Sequence, residues 1–189
     1  VVRAAMVIRV ASLARGHSGA RPVLVESIVQ MLNAGVTPVV PEYGSLGASG
    51  DLIPLAHLAL VLTRAEGEDL EIESGHASYG GEVLTGLEAM RRAGIERVVL
   101  GPKEGLALLN GTSFSTALSA LAVHDAQNLA LTSEVTAAMT IEALTGFLSA
   151  FINVRIAAPV VAGIGLAATF GAGVTAQLGA MRINEEIDA

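Results

Sequence analysis

Apolar residues recur every three or four positions in the first part of the chain, which is the spacing of helices with one buried face. This pattern predicts a helix over Val1–Ala14, in which Arg3 and Arg9 interrupt the apolar positions. A second helix is predicted over about Val23–Ala34, because a proline opens it and Gly35 follows its last residue.

The periodicity stops between Val36 and Gly50. This segment contains two prolines and three glycines, so we expect a loop with several unusual backbone conformations. A helix over about Leu52–Ala65 is predicted next, with Asp51 as its N-cap and a proline in its first turn, where a missing N–H costs nothing.

Helical periodicity also dominates the later sequence. The Asn110–Thr112 triplet interrupts a long helical region over Gly105–Gly146, so we expect one long helix from about Ser113 to Leu144. The pattern as a whole predicts an all-α fold. The remaining segments predict, in order, a polar excursion at Glu66–Gly81, an amphipathic helix at Gly81–Ala93 and a short strand at Val98–Leu100.

Composition narrows the classes of function. Hydrophobic residues make up 52% of the chain and aromatic residues only 3%, which suits closely packed helices. The net charge of -7 argues against a nucleic-acid surface, which needs clustered Lys and Arg. The chain has no Cys, and its four His are far apart, so we predict no disulfide and no metal site. No secretory signal is visible, which is compatible with a cytoplasmic protein.

The sequence changes character at Pro159. No charged residue occurs from there to Met181, a length close to that needed to cross a bilayer core. We therefore divide the chain into a segment 1–158 and an apolar, Gly/Ala-rich tail 159–189, and expect a membrane contact only if residues 159–181 insert. The chain begins at Val1 and ends without a helix-stop signal, so we also expect it to be a fragment of a longer protein.

The loop before the third helix contains residues that can react with one another. Gly50 has no Cβ, so its backbone nitrogen can approach the carbonyl carbon of Ala48 through conformations closed to other residues. Ser49 carries a hydroxyl that can leave as water. Attack by the Gly50 nitrogen followed by two dehydrations would give a methylidene-imidazolone, an electrophile made from the chain itself. Asp51 is placed to orient this cyclisation or to cap the helix.

The following helix directs its positive N-terminal end at this loop, which favours developing negative charge there. A flexible turn before a capped helix is the alternative interpretation, and it is the commoner one for an Ala-Ser-Gly tripeptide alone. Neighbouring motifs decide between the two. The stretch Gly44–Ala59 (GSLGASGDLIPLAHLA) resembles the cofactor-forming motif of the histidine, phenylalanine and tyrosine ammonia-lyase family. Further matching segments are Val2–Pro22, Val36–Ser45 and Gly101–Ser113, so that the resemblance covers about residues 1–156.

The resemblance implies that Ala48, Ser49 and Gly50 form the prosthetic group 4-methylidene-imidazol-5-one (MIO), with no metal and no nucleotide. Asn110 would lie beside it and hydrogen-bond the ring or the substrate carboxylate. The implied reaction is the non-oxidative elimination of ammonia from an aromatic or imidazole L-amino acid (His, Phe or Tyr), which gives an α,β-unsaturated acid. Supporting roles are expected for Gly44, Asp51 and His17.

The resemblance also implies a cytoplasmic homo-oligomer, a tetramer in the family, that acts on a small-molecule amino acid. The family takes its catalytic base from a Tyr on an N-terminal loop, and its carboxylate clamp, a Tyr and an Arg, from a later segment. The only tyrosines here, Tyr43 and Tyr79, match neither position. We therefore expect the isolated chain to be inactive.

Three alternatives remain open. An aminomutase of the same family would use the same chemistry and re-add ammonia at the β-carbon. Residues 161–189 resemble a piece of the permease subunit of Mla-type lipid-transport ABC systems, which favours a chimera or a permease remnant over a buried helix of the lyase. A folded but inert remnant is the third alternative.

Overall fold

The computed structural model describes residues 1–47, 49–67, 72 and 74–146. The chain divides into two compact units, Val1–Leu118 and Ser119–Ala189. The tail 159–189, with its proposed permease likeness and membrane contact, lies outside the described residues.

Helices dominate the described structure, as the sequence predicts. The first two and the long sixth helix are confirmed, and the predicted break at Asn110–Thr112 separates α5 from α6. Gly35 ends α2 in the left-handed conformation that glycine adopts at low cost. The helices are α1 (Val2–Ala14), α2 (Pro22–Ala34), α3 (Leu52–Leu62), α4 (Gly86–Arg92), α5 (Glu104–Leu109) and α6 (Ser113–Ala143).

Two small sheets join these helices. Strand β3 lies between β1 and β4 in an antiparallel sheet, and β2 pairs with β5 in parallel. The predicted strand at Val98–Leu100 is thus confirmed as β5. The strands are β1 (Thr37–Pro38), β2 (Thr63–Arg64), β3 (His76–Tyr79), β4 (Glu82–Thr85) and β5 (Val98–Val99).

Two predicted helix boundaries are wrong. The helix expected from Gly81 begins only at Gly86, because the residues of β4 pair with β3 and the Thr85 hydroxyl accepts the Glu88 N–H at 3.4 Å. Helix α3 ends at Leu62 rather than Ala65. Its chain continues into β2, which pairs with β5.

The buried side chain of Arg97 also marks the end of α3. Its guanidinium donates to the carbonyl oxygens of Leu60 at 2.7 Å and Val61 at 3.2 Å, and to that of Thr63. These are carbonyls that a helix C-terminus leaves without intrahelical partners, and a cation is favourable beside them.

The core of the first unit is aliphatic and sulfur-containing, as the low aromatic content suggests. It is formed by residues of α1, α2, α3, α4 and α5, together with Ala77 of β3. Its largest fully buried side chains include Met6, Leu24, Ile28, Met31, Leu58, Leu62, Met90 and Leu108.

Helix α6 changes environment along its length. Ser113, Phe114 and Ala117 are buried at its start, whereas no described residue from Leu118 to Gly146 is buried. In the described part of the chain, the region Glu104–Ala143, which contains α5, the break and α6, is long and apolar enough to cross a membrane by length and composition alone. Core helices of soluble proteins meet the same criterion, so this is weak support for a membrane span.

Candidate active site

The loop before α3 holds an unusual backbone conformation. Gly44, Gly47 and Gly50 all have positive φ angles, and so does Ser49, at 63°. A left-handed conformation is strained for a serine, and such strain is found where the surrounding structure imposes it. Ser49 is exposed. Ala48, the remaining residue of the predicted ring, lies outside the described residues.

Gly50 touches the backbone of Gly111, which is 61 positions later in the chain. A Cβ on Gly50 would lie 2.5 Å from the Gly111 carbonyl oxygen, so no other residue fits there without a shift. The same oxygen accepts the Asp51 N–H at 2.7 Å. Two segments that the sequence singled out separately, Ser49–Asp51 and Asn110–Thr112, therefore meet in space.

Asp51 is buried and bonds differently from its predicted role. It occupies the N-cap position of α3, but its side chain makes no capping hydrogen bond to that helix. The carboxylate turns instead to the start of α6, where it accepts the Ser115 N–H at 2.8 Å and the Ser115 hydroxyl at 2.7 Å. The Ser45 hydroxyl donates a third bond at 2.9 Å. Asp51 thereby ties Ser45 and the last part of its own loop to the start of α6.

The charge state of Asp51 follows from these bonds. Burial by itself would raise the pKa of the Asp51 carboxyl, but the donors from Ser115, Ser45 and the backbone of Phe114 outweigh it and hold the pKa below its ordinary value. The site therefore contains a carboxylate that is ionised at neutral pH and stabilised by neutral donors alone among the described residues.

The other predicted site residues, Asn110, Gly44 and His17, have different environments. Asn110 ends α5, and its side chain is exposed. Gly44 has a φ of 144° and packs on the first turn of α3, where a Cβ would lie 3.0 Å from Ile53 Cγ2. His17 is exposed in the turn after α1, and no hydrogen bond joins it to the described part of the loop.

Arg9 belongs to this site but was not predicted there. It is only 3% exposed, and its Nη2 donates to the carbonyl oxygens of Ala107 and, at 3.0 Å, of Asn110. Its Nη1 lies against Gly111, where a Cβ would collide with it. The only signal in the sequence was a charged residue on the apolar face of α1.

A second buried acid fixes the start of α5. Glu104 accepts the backbone N–H of Arg21 at 2.9 Å, the Arg21 side chain at 2.8 and 2.7 Å, and the Gly101 N–H at 2.6 Å. The hydrogen bonds from Arg21 outweigh the effect of burial and lower the pKa of Glu104 to about 2. Because α5 has only six residues, fixing its start also fixes Asn110 at its end.

These residues fit a prosthetic group made from the backbone of residues 48–50. Such a ring needs a residue without a Cβ at position 50 and a tightly turned chain at position 49. Gly50 has no space for a Cβ, and Ser49 has a left-handed φ with its side chain exposed. The local geometry is therefore compatible with the ring that the sequence resemblance implies.

Comparisons with known proteins agree with this geometry. A family model described as aromatic amino acid lyase matches residues 1–163. The histidine ammonia-lyase of Gloeobacter violaceus is 56% identical over 152 residues, which are 80% of this chain and 28% of that protein.

Solved structures give the same result. The phenylalanine ammonia-lyase from the yeast Rhodosporidium toruloides is 44% identical, with a TM-score of 0.71 over 79% of this chain and 22% of that one. The phenylalanine aminomutase of Pantoea agglomerans is 41% identical, with a TM-score of 0.60 over 68% of this chain and 23% of that one. The predicted helical fold of the lyases is thus confirmed, and the chain spans about 28% of the length of the curated relatives it matches.

Proposed function

Because this chain belongs to the aromatic amino acid lyase family, we propose that it carries the prosthetic-group segment of an ammonia-lyase. The proposed reaction is the non-oxidative elimination of ammonia from L-histidine, L-phenylalanine or L-tyrosine to give an α,β-unsaturated acid. Histidine is the first substrate to test, since the curated relatives with 47–56% identity are named histidine ammonia-lyases.

The packing of Gly50 and Asp51 on Gly111 is the observation that carries this proposal. In the proposal, Ala48, Ser49 and Gly50 close into MIO, with the Gly50 nitrogen bonded to the Ala48 carbonyl carbon and two waters lost. The ring supplies an electrophilic exocyclic carbon. A turn whose residue 50 is already pressed against a second backbone has less conformational entropy left to lose on cyclisation.

The surrounding residues have distinct proposed tasks. Asp51 keeps the loop seated through its bonds to Ser45 and Ser115. Helix α3 begins directly after the loop, so the partial positive charge of its N-terminus favours negative charge at the site. The exposed side chain of Asn110 is free to hydrogen-bond the substrate carboxylate or the ring. Gly44 shapes the loop, and a supporting role is proposed for His17.

The complete enzyme is proposed to be a cytoplasmic homo-oligomer, a tetramer as in the family, that binds a small amino acid. A proton on the substrate β-carbon must be removed by a base positioned in contact with it. We propose that this base and the arginine that binds the substrate carboxylate belong to other segments of the complete enzyme.

A segment exchange tests the proposal. The aligned 152 residues of the Gloeobacter violaceus enzyme would be replaced by those of this chain, with and without Ser49→Ala. We expect the exchanged enzyme to release ammonia and urocanate from L-histidine, and the Ser49→Ala version to give only background. Equal activity in both versions would rule out the proposed role of Ser49.

An aminomutase is the second candidate, because the solved relatives include phenylalanine and tyrosine aminomutases. It would form a β-amino acid from the same α-amino acid. Chromatography of the products separates the two, since a lyase accumulates free ammonia and unsaturated acid in equal amounts. The idea of a permease remnant rests on residues outside the described structure, and membrane fractionation of the chain would test it.

A further inference from the structure

Three groups are stacked beside the ring-forming turn. Gly50 lies against the carbonyl of Gly111, and Arg9 Nη1 occupies the space where a Cβ of the same Gly111 would stand. The Gly111 carbonyl also accepts the Asp51 N–H. Any movement of Gly111 is therefore passed directly to the two residues that follow Ser49.

Arg9 is the group that fixes Gly111 from the other side. Its Nη2 bonds two carbonyls at the end of α5, those of Ala107 and Asn110. A helix C-terminus carries partial negative charge, so a guanidinium stabilises it. The Arg9 side chain thereby links α1 to the end of α5, about a hundred positions later in the sequence.

The burial of Arg9 has a cost that these bonds only partly offset. Its Nε is buried without a hydrogen-bond partner in the described structure, and a buried donor left unpaired is unfavourable. An apolar side chain would avoid this cost on the face of α1. What a charged side chain adds is a fixed position for Ala107, Asn110 and Gly111.

We infer that Arg9 is a positioning residue for the ring-forming turn, acting through Gly111 on Gly50 and Asp51. This inference rests on the proposed function for its consequence, ring closure, but not for its geometry. Arg9 is only 3% exposed, so in this proposal it acts through Gly111 and not on the substrate. Replacing it loosens the turn, slows ring closure and exposes the Asp51 N–H to solvent.

A matched control lies elsewhere in the same unit. Arg97 is also buried, at 7% exposure, and also bonds carbonyls at a helix C-terminus, that of α3. It bonds none of Gly50, Asp51 or Gly111 in the described structure. Arg97→Met therefore measures the general cost of losing a buried arginine, whereas Arg9→Met adds any specific effect on the turn.

The test reads two quantities in the 189-residue chain. Hydrogen exchange of the Asp51 N–H is measured relative to global unfolding, and intact mass gives the fraction that has lost two waters, ~36 Da. Arg9→Met is expected to speed Asp51 exchange by about tenfold or more, the effect of losing a charged hydrogen bond, and to lower the dehydrated fraction. Arg97→Met changes neither.

Arg9→Lys should restore part of the slow exchange, because its ammonium can replace Nη2, which makes both bonds, but not the packing of Nη1 on Gly111. A second pair of variants is used in case Arg9→Met does not fold. Gly111→Ala places a Cβ against Arg9, whereas Gly105→Ala places its Cβ 3.8 Å from the Leu100 side chain, an ordinary contact. Only Gly111→Ala should speed Asp51 exchange.

The outcomes separate the two proposals. Unchanged Asp51 exchange in Arg9→Met and Gly111→Ala overturns the positioning role, even if the native chain is dehydrated. An equal effect of Arg97→Met overturns it as well, since the effect is then one of general stability. If the native chain keeps its full mass while Asp51 exchange still depends on Arg9, the proposed function fails and the positioning role stands.

Discussion

Two buried carboxylates, Asp51 and Glu104, both have pKa values below their ordinary range, but different groups hold them there. Glu104 pairs with the guanidinium of Arg21 and also accepts two backbone N–H groups, whereas Asp51 is bonded only by hydroxyls and backbone N–H groups among the described residues. A cation attracts a carboxylate over a range of geometries. Neutral donors stabilise it only when they are correctly placed.

The difference matches the two positions in the fold. Glu104 starts a short helix, and an ion pair holds that helix even if its partner moves slightly. Asp51 lies beside the turn that is proposed to cyclise, and its donors come from its own loop and from α6. The second arrangement fixes position more strictly, so the Asp51 region should tolerate less change than the Glu104 region.

The largest effect on stability is expected at Gly50, which precedes Asp51 and has no space for a Cβ beside Gly111. In a Ser49→Ala background, which removes ring closure, Gly50→Ala should lower the free energy of unfolding by about 4 kcal/mol through strain and overlap with Gly111. Gly47→Ala is the control, because its Cβ would meet nothing within 4 Å. It should lose only about 1 kcal/mol to its positive φ. Equal losses in urea unfolding would show that the contact with Gly111 is not tight.

Asp51→Asn should have the next largest effect. The variant keeps the shape but turns an amide NH₂ toward donors, so about 3 kcal/mol of stability is expected to be lost. The exposed Asp125 on α6 serves as control, and Asp125→Asn should stay within about 0.5 kcal/mol. Urea unfolding measures both. An Asp51→Asn variant as stable as its control would mean that the three donors contribute little.

Glu104→Gln should cost less, about 2 kcal/mol, because Gln can still accept hydrogen bonds from the half-exposed Arg21. Salt should change the stability costs of the two substitutions differently. In 1 M NaCl the cost of Glu104→Gln should fall by about half, since screening acts on the ion pair. The cost of Asp51→Asn should not change. If salt alters both equally, the distinction between cationic and neutral partners is wrong.

Lowering the pH should show a smaller effect of Glu104 on the free energy of unfolding. The pKa of Glu104 is about 2 when folded against an ordinary 4.5, so the unfolded chain binds more protons between these values. The stabilisation is complete above pH 4.5 and is lost as the pH falls through about 2. On acidification from pH 5 to pH 3, Glu104→Gln should lose about 1 kcal/mol less stability than the parent. Both are compared in a Glu88→Gln background, because the pKa of Glu88 is also about 2. Identical acid sensitivity would contradict the assignment.

The sequence predicted most of the helices because their signals are local. Gly35, the Asn110–Thr112 break and the proline at the start of α2 act within a turn or two of the chain. The start of α4 was missed although a local signal was present. Thr85 and Glu88 have the spacing of a capping box, and the Thr85 hydroxyl does accept the Glu88 N–H.

The site was only partly predictable for a different reason. The ring motif and Asn110 were identified from the sequence, but their contact through Gly111 joins segments 61 positions apart. Local periodicity shows that Arg9 interrupts an apolar face, yet only the folded structure shows that it bonds the carbonyls of Ala107 and Asn110. Asp51 was predicted to cap the helix that follows it, and its carboxylate bonds α6 instead.

The most direct test of the central claim, that this chain builds its electrophile from residues 48–50, is the intact mass of the purified protein beside Ser49→Ala. Ring closure removes two waters, ~36 Da, a covalent change that the sequence does not record. We predict that the native chain is lighter than its calculated mass by this amount and that Ser49→Ala is not. Calculated masses for both would contradict it.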